Sequence, residues 1–163
     1  MQRVYTKKGD TGFTRDFSGK LVPKDHTAII CGGKIAAVQS AIDAASLFAK
    51  GKERQLLEKI QTKLWQTSAE ISHCDRKCVV DPVQEEDLRR IEQYIDSLGK
   101  PPDQFVRFRT KKAVAYNECR IRARELETYL LKLLRKKKMR VVVYKYLNRL
   151  SSLFFMLAYK AGK

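Results

Sequence analysis

The strongest constraint on this chain is an apolar seam inside Ala113–Lys137. Cys119, Ala123, Leu126, Leu130 and Leu133 follow one another at alternating steps of four and three. That rhythm puts all five on one stripe of a helix, and the stripe needs other helices to cover it. The rest of the chain supplies them. Thr27–Lys50 is Ala-rich, with Ile30, Ile35, Val38, Ile42 and Leu47 as apolar positions, and Glu53–His73 carries Leu57, Ile60, Leu64 and Ile71 at helical spacing. Asp81-Pro82 signals a turn and helix start before Val83–Leu98, and Gly99, Pro101 and Pro102 then break the chain. The last helix runs from about Arg140 to Tyr159, striped by Leu147, Leu150, Phe154 and Leu157. Val141, Val142 and Val143 alone suit a strand, but the period downstream favours a helix. The reading is a single all-α domain over residues 1–163, with 1–25 as an extended N-terminal loop punctuated by Gly9, Gly12 and Gly19, and 27–160 as a helical bundle.

No apolar run is expected to reach the length of a membrane span, and residues 1–20 hold no signal-peptide core, so a soluble, cytoplasmic protein is expected. Cys31, Cys74, Cys78 and Cys119 suggest no disulfide framework and are expected as reduced thiols. His73, Cys74 and Cys78 match zinc patterns poorly, because the C-x3-C has no second pair. The formal charge of +16 predicts an anionic partner: nucleotide phosphates, nucleic acid or an acidic protein.

Three segments can carry chemistry. Thr6-Lys7-Lys8-Gly9-Asp10-Thr11-Gly12-Phe13-Thr14 combines glycines, which let backbone N–H groups converge on an anion, with lysines and hydroxyls that donate to it. It lacks the Walker A spacing and is on composition equally a flexible basic N-terminus. Arg120, Arg124 and Glu127 share one helix face at offsets of four and three. Two guanidiniums there can clamp a triphosphate, and the carboxylate can hold Mg²⁺; the competing reading is a solvated, self-paired face. In Tyr146-Leu147-Asn148-Arg149-Leu150-Ser151, Asn148 sits just off the apolar stripe, where it can bind a ligand or fix helix register.

Together these segments resemble the PduO-type cobalamin adenosyltransferases across almost the whole chain. Thr6–Thr14 is similar to the family's T-K-x-G-D-x-G-x-T loop, and Lys24-Asp25 to its K-D. Residues 113–127 resemble its A-R-x3-R-R-A-E helix, with Arg120, Arg124 and Glu127 on the first Arg, a later Arg and the Glu; Tyr146–Ser151 resembles Y-L-N-R-L-S. The resemblance implies a five-helix up-and-down bundle that assembles as a homotrimer, with active sites between subunits. It implies ATP with Mg²⁺ on Thr6, Lys7, Gly9, Asp10, Gly12, Thr14, Lys24, Arg120, Arg124, Glu127 and Asn148. Arg120 and Arg124 would be catalytic, Glu127 and Asn148 would hold the metal, and Phe105 would wall a corrinoid pocket. The implied reaction moves the 5′-deoxyadenosyl group of ATP to the cobalt of a reduced corrinoid such as cobalamin, releasing triphosphate. A corrinoid-dependent enzyme or a reductase would be a further partner.

Departures from the family pattern are specific. Its G-T-x-D-E-L-N-S segment aligns with Gly33–Ser40, so its Asp and Glu are Ala36 and Ala37. Its P-G-G turn is Phe108-Arg109-Thr110, its L-H is Tyr116-Asn117, the Asp after Y-L-N-R-L-S is Ser152, and the Arg of its G-x-R is Leu21. The family's Asp pairs with its first arginine, so Arg120 is expected to lack that partner. Beside an active transferase stand two alternatives: a non-catalytic paralogue that carries or senses ATP or corrinoid, and a basic nucleic-acid-binding bundle, which the absence of any familiar nucleic-acid motif disfavours.

Overall fold

The structure, a computed structural model, describes residues 5, 7–74 and 77–163. Five helices carry the chain: α1 (Thr27–Ser46), α2 (Gly51–Ile71), α3 (Glu85–Ser97), α4 (Lys111–Arg135) and α5 (Val141–Ala161). Helix α4 is the central element, packed along α1 on one side and α5 on the other; α2 covers α1, and α3 covers α5. The seam that demanded partners is wholly buried, and Cys31, Ile35, Val38 and Ile42 of α1 join Val143, Leu147, Leu150 and Phe154 of α5 in one core around it. Thr110 starts α4: its Oγ accepts the Ala113 N–H at 3.1 Å and donates to the Ala161 carbonyl at 2.9 Å, which ties the start of α4 to the end of α5. Ion pairs staple the long α2–α3 connection, with Lys63 reaching Asp81 at 2.7 Å and Asp87 at 3.0 Å. Arg140 grips Glu70 through two 2.8 Å contacts.

The N-terminal stretch is more ordered than a loop. Strands β1 (Phe13–Arg15) and β2 (Leu21–Pro23) pair antiparallel, with Thr14 opposite Val22. The Asp16 carboxylate accepts from the Ser18 N–H, the Ser18 hydroxyl and the Lys20 N–H, a side-chain turn that sequence periodicity does not register.

Three further expectations are corrected and one ambiguity is resolved. Helix α1 stops at Ser46 instead of Lys50, and Leu47, read as a core position, is 83% exposed. Val141–Val143 open a helix, as the downstream period favoured, because Val143 continues the stripe of Leu147 and Leu150 into the core. Thr27–Ser46 does reach the length and hydropathy (1.3) of a membrane-crossing helix, and its Cys31, Ile35, Val38 and Ile42 are spent on the bundle core. Cys74 and Cys78 are joined as a disulfide with Cα atoms 5.8 Å apart, since the chain reverses at His73 (φ 58°) just past α2. Cys31 and Cys119 are free and buried, and burial pushes their thiols up to about 11 and about 12.

Candidate functional site

Three arginines fall within little more than one turn of α4, and their surroundings divide them. Arg122 is neutralised: its Nε donates to Glu118 at 2.7 Å and its Nη1 to Glu125 at 3.4 Å, while Glu125 also takes Lys34 at 3.2 Å. Arg120 and Arg124 form no ion pair among the described residues. Both line a cavity of about 430 Å³ between the end of α3 (Ile95, Asp96), α4 and α5 (Ser151, Ser152, Phe155). Arg120 Nε instead donates to Asn117 Oδ1 at 2.8 Å, one turn earlier on the same helix. Lacking the family's carboxylate, Arg120 is therefore still held by a neutral acceptor.

Arg120 and Asn117 also close one side of a second, more open cleft of about 720 Å³. Its far wall is the extended connector between α3 and α4, including Phe105, Arg107 and Arg109. Phe108 anchors that wall edge-to-face on Phe155, with ring centroids 6.2 Å apart. Phe105 stands on the rim and is 92% exposed.

The carboxylate of Glu127 accepts a hydrogen bond from the Tyr144 hydroxyl of α5, and that bond, ahead of burial, pushes the phenol up to about 12. One turn beyond Tyr144 lies Asn148, half-buried, its carbonyl accepting from the Ser151 hydroxyl at 3.1 Å. Tyr144, Asn148 and Ser151 thus descend α5 opposite Glu127, Arg124 and Arg120 on α4. The pattern pointed to Arg120, Arg124, Glu127 and Asn148, and the structure sets them along one α4–α5 seam. Tyr144 was missed and Asn117 was noted only as a departure from the family pattern, although their offsets of four from Asn148 and three from Arg120 are the helical neighbours that a same-face search returns.

The N-terminal candidates gather elsewhere. Asp10 N–H donates to Lys7 O and Gly12 N–H to Gly9 O, both at 3.2 Å, and Lys24 N–H donates to Gly12 O at 2.9 Å. Lys7 (φ 59°) and Gly12 (φ 80°) take left-handed backbone there. A Cβ on Gly9 would stand 2.9 Å from Lys24 Nζ, so the ammonium rests on the bare glycine and Lys24 closes over the turn. Thr14 is half-buried in β1, and Thr6 lies outside the described residues. No hydrogen bond or ion pair among the described residues joins this hairpin to Arg120 or Arg124. Helix direction explains the separation. Lys34 pairs with Glu125, and Cys31, nearer the start of α1, feels the charge of Lys132 further along α4. The two helices run antiparallel, which sets the hairpin beside the far end of α4. Of the departures, Ala36, Leu21 and Ser152 are exposed and Ala37 is half-buried.

The sequence profile of the family described as cobalamin adenosyltransferase matches residues 4–161. A corrinoid adenosyltransferase, PduO, from Citrobacter freundii is 30% identical over 162 residues, covering 95% of this chain and 48% of that protein. A second corrinoid adenosyltransferase from Citrobacter freundii is 30% identical over 166 residues, covering 97% of this chain and 94% of the other. This chain spans about half the length (48%) of the first of these relatives. Among solved structures, a variant PduO-type ATP:corrinoid adenosyltransferase from Lactobacillus reuteri, complexed with cobalamin and ATP, has the same fold. Its TM-score is 0.85 at 23% identity, over 98% of this chain and 91% of that one. This chain belongs to the cobalamin adenosyltransferase family.

Proposed function

We propose that the protein is an ATP:corrinoid adenosyltransferase, acting as a homotrimer whose sites are each assembled from two copies. The observation that carries this reading is the pair of un-neutralised guanidiniums, Arg120 and Arg124, on a helix whose third nearby arginine is fully paired. Arg120 is half-buried and Arg124 exposed, one turn apart with no counterion between them, and an incoming polyphosphate would relieve their mutual repulsion through bidentate contacts. In the proposed reaction the electron pair of the reduced cobalt attacks C5′ of ATP. A Co–C bond forms, the C5′–O bond breaks, and the bonding pair leaves on triphosphate. Arg120 and Arg124 would stabilise the charge that grows on that leaving group. The Glu127 carboxylate, oriented by the Tyr144 hydroxyl, and the Asn148 amide offer the hard oxygen donors that suit Mg²⁺. No cluster of three metal-binding side chains exists among the described residues, so phosphate oxygens would complete the ion's shell, and the ion would add charge neutralisation there.

The hairpin supplies a second set of donors: Lys7, the Gly9–Gly12 turn, Thr14 and Lys24. Within one chain it does not meet the arginine seam, which supports a site completed by a neighbouring copy. The outer face of α1 supports that assembly, since Gly33, Ala36, Ser40 and Ala44 are exposed small residues ending at Leu47, which is 83% exposed. The 720 Å³ cleft beneath Phe105 is apolar enough, with Val106, Phe108, Val114 and Phe155, to take one face of a corrin ring. The test is anaerobic mixing of cob(I)alamin, MgATP and the purified protein, following the adenosylcobalamin spectrum and triphosphate release. Stoichiometric formation of both supports the reading. Bound ATP with neither product would make this a nucleotide-binding relative without turnover.

A further inference from the structure

Arg120 differs from the ion-paired arginines of the bundle in what holds it. Arg122, Arg140 and Arg149 are each fixed by a carboxylate, at 2.7, 2.8 and 2.8 Å. Arg120 is fixed at Nε by the neutral amide oxygen of Asn117, at 2.8 Å. The choice of atom matters. A guanidinium has five N–H donors in a planar fork, and a bond at Nε leaves the whole Nη edge free. That edge has no ion-pair partner among the described residues, and the side chain borders both the 720 Å³ cleft and the 430 Å³ cavity. A carboxylate at the same place would fix the plane equally well but cancel much of the charge. An amide fixes it and leaves the charge intact.

We propose that Asn117 is a positioning residue: it sets the plane of the Arg120 guanidinium from within the same chain, so that the Nη edge faces both cavities with its positive charge uncancelled. This rests on the transferase reading only for its kinetic consequence. It also accounts for Ala36, since a guanidinium oriented from its own helix has no need of an acidic partner on another copy. Asn117 is well placed for the task. It lies one turn before Arg120 on a helix locked by the buried Tyr116 and Cys119, each of which immediately precedes one member of the pair, so the tether is as rigid as the core behind it. The neighbouring Tyr116 hydroxyl is engaged with Glu53, which keeps that carboxylate in a separate network.

Two measurements on the intact protein test this together. The first is the Arg120 Nε–Hε resonance in arginine-labelled protein, assigned through Arg120→Lys. It should be resolved and slow to exchange in wild type, collapse in Asn117→Ala, and return in Asn117→Asp. The second is single-turnover adenosylation with matched ATP titrations. Asn117→Ala should slow turnover about 10- to 100-fold, the loss associated with a hydrogen bond to a charged group, while ATP affinity moves no more than about threefold. Asn117→Asp should recover the orientation but only part of the rate, because its carboxylate cancels much of the charge that the amide leaves intact, whereas a merely structural role would leave both substitutions with parallel losses in thermal stability. A wild-type Hε that exchanges freely with solvent overturns the proposal. So does an Asn117→Ala protein that turns over at the wild-type rate while Arg120→Ala does not. A protected Hε in a protein that forms no adenosylcobalamin would instead leave the tether standing and remove the transferase reading.

Discussion

The hairpin and the α4–α5 seam carry the same chemistry on opposite physical foundations. The seam presents Arg120, Arg124, Glu127 and Asn148 from two helices whose backs are the core itself, with Cys119, Ala123, Leu126, Leu147 and Leu150 all buried. Its side chains inherit that rigidity. The hairpin presents Lys7, Lys8 and Lys24 from the turns that flank two three-residue strands, held by backbone hydrogen bonds and the Asp16 side chain, with Val22 its single buried residue among those described. A seam of this kind is pre-organised for charge stabilisation, and a hairpin of this kind gains its order from what it closes on. Each half has donors for a polyphosphate, and neither surrounds one alone.

If this contrast is right, the largest single loss comes from the seam. Arg124→Ala removes an unpaired guanidinium from the 430 Å³ cavity and should weaken MgATP by about 1.5–3 kcal/mol, some 10- to 100-fold, in calorimetric titration. Arg122→Ala, two residues away, removes a cation already spent on Glu118 and Glu125 and should leave that affinity within about twofold. Equal losses from both would show that helix charge alone, without the division seen here, governs binding.

Gly12→Ala should have the next largest effect, and it separates binding from stability. Gly12 sits at φ 80°, where a Cβ costs about 1–2 kcal/mol. The hairpin lies outside the core, so the melting temperature should hardly move while MgATP affinity falls severalfold. A melting temperature that falls with the affinity would mean that the hairpin is part of the bundle's stability.

A smaller loss is expected from Ala36→Asp. Arg120 already has its Nε occupied by Asn117, so an added carboxylate on the exposed face of α1 can reach only the Nη edge from a neighbouring copy. A carboxylate there would cancel part of the charge that the amide leaves intact, and a two- to fivefold fall in single-turnover rate is about what a partly exposed ion pair yields. The smallest effect lies in the core behind the seam. Cys31 and Cys119, with thiols pushed up to about 11 and about 12 by burial, should resist iodoacetamide at pH 8 for as long as the bundle stays folded. Labelling of Cys119 in the native protein would mean that α4 opens.

Where the sequence was legible, one period dominated. The step of four and three in α4 specified both a helix and the side it buries, and Arg120, Arg124 and Glu127 followed as its other face. The resemblance of Tyr146–Ser151 to a family signature added Asn148. What was illegible depended on contacts between segments distant in sequence or on backbone geometry. Asp16 folding its own turn, Lys24 lying on Gly9 and Cys74 meeting Cys78 past a reversed His73 all arise from local dihedrals that periodicity does not encode. The Tyr144–Glu127 bond crosses from α5 to α4 and needs the register between them. Leu47 was misread because an apolar residue at helical spacing looks the same whether it faces the core or the surface.

The account's central claim, that the hairpin of one copy and the seam of another complete a single site, is tested most directly by complementation. Lys24→Ala disables the hairpin and Arg124→Ala disables the seam, so each variant alone should adenosylate cob(I)alamin at a small fraction of the wild-type rate. Co-refolded at equal concentrations, the two should assort at random into trimers, and about one quarter of all interfaces should pair an intact hairpin with an intact seam. The account predicts recovery of roughly that fraction of wild-type single-turnover amplitude in the mixture. Mixed oligomers with no more activity than the separate variants would contradict it.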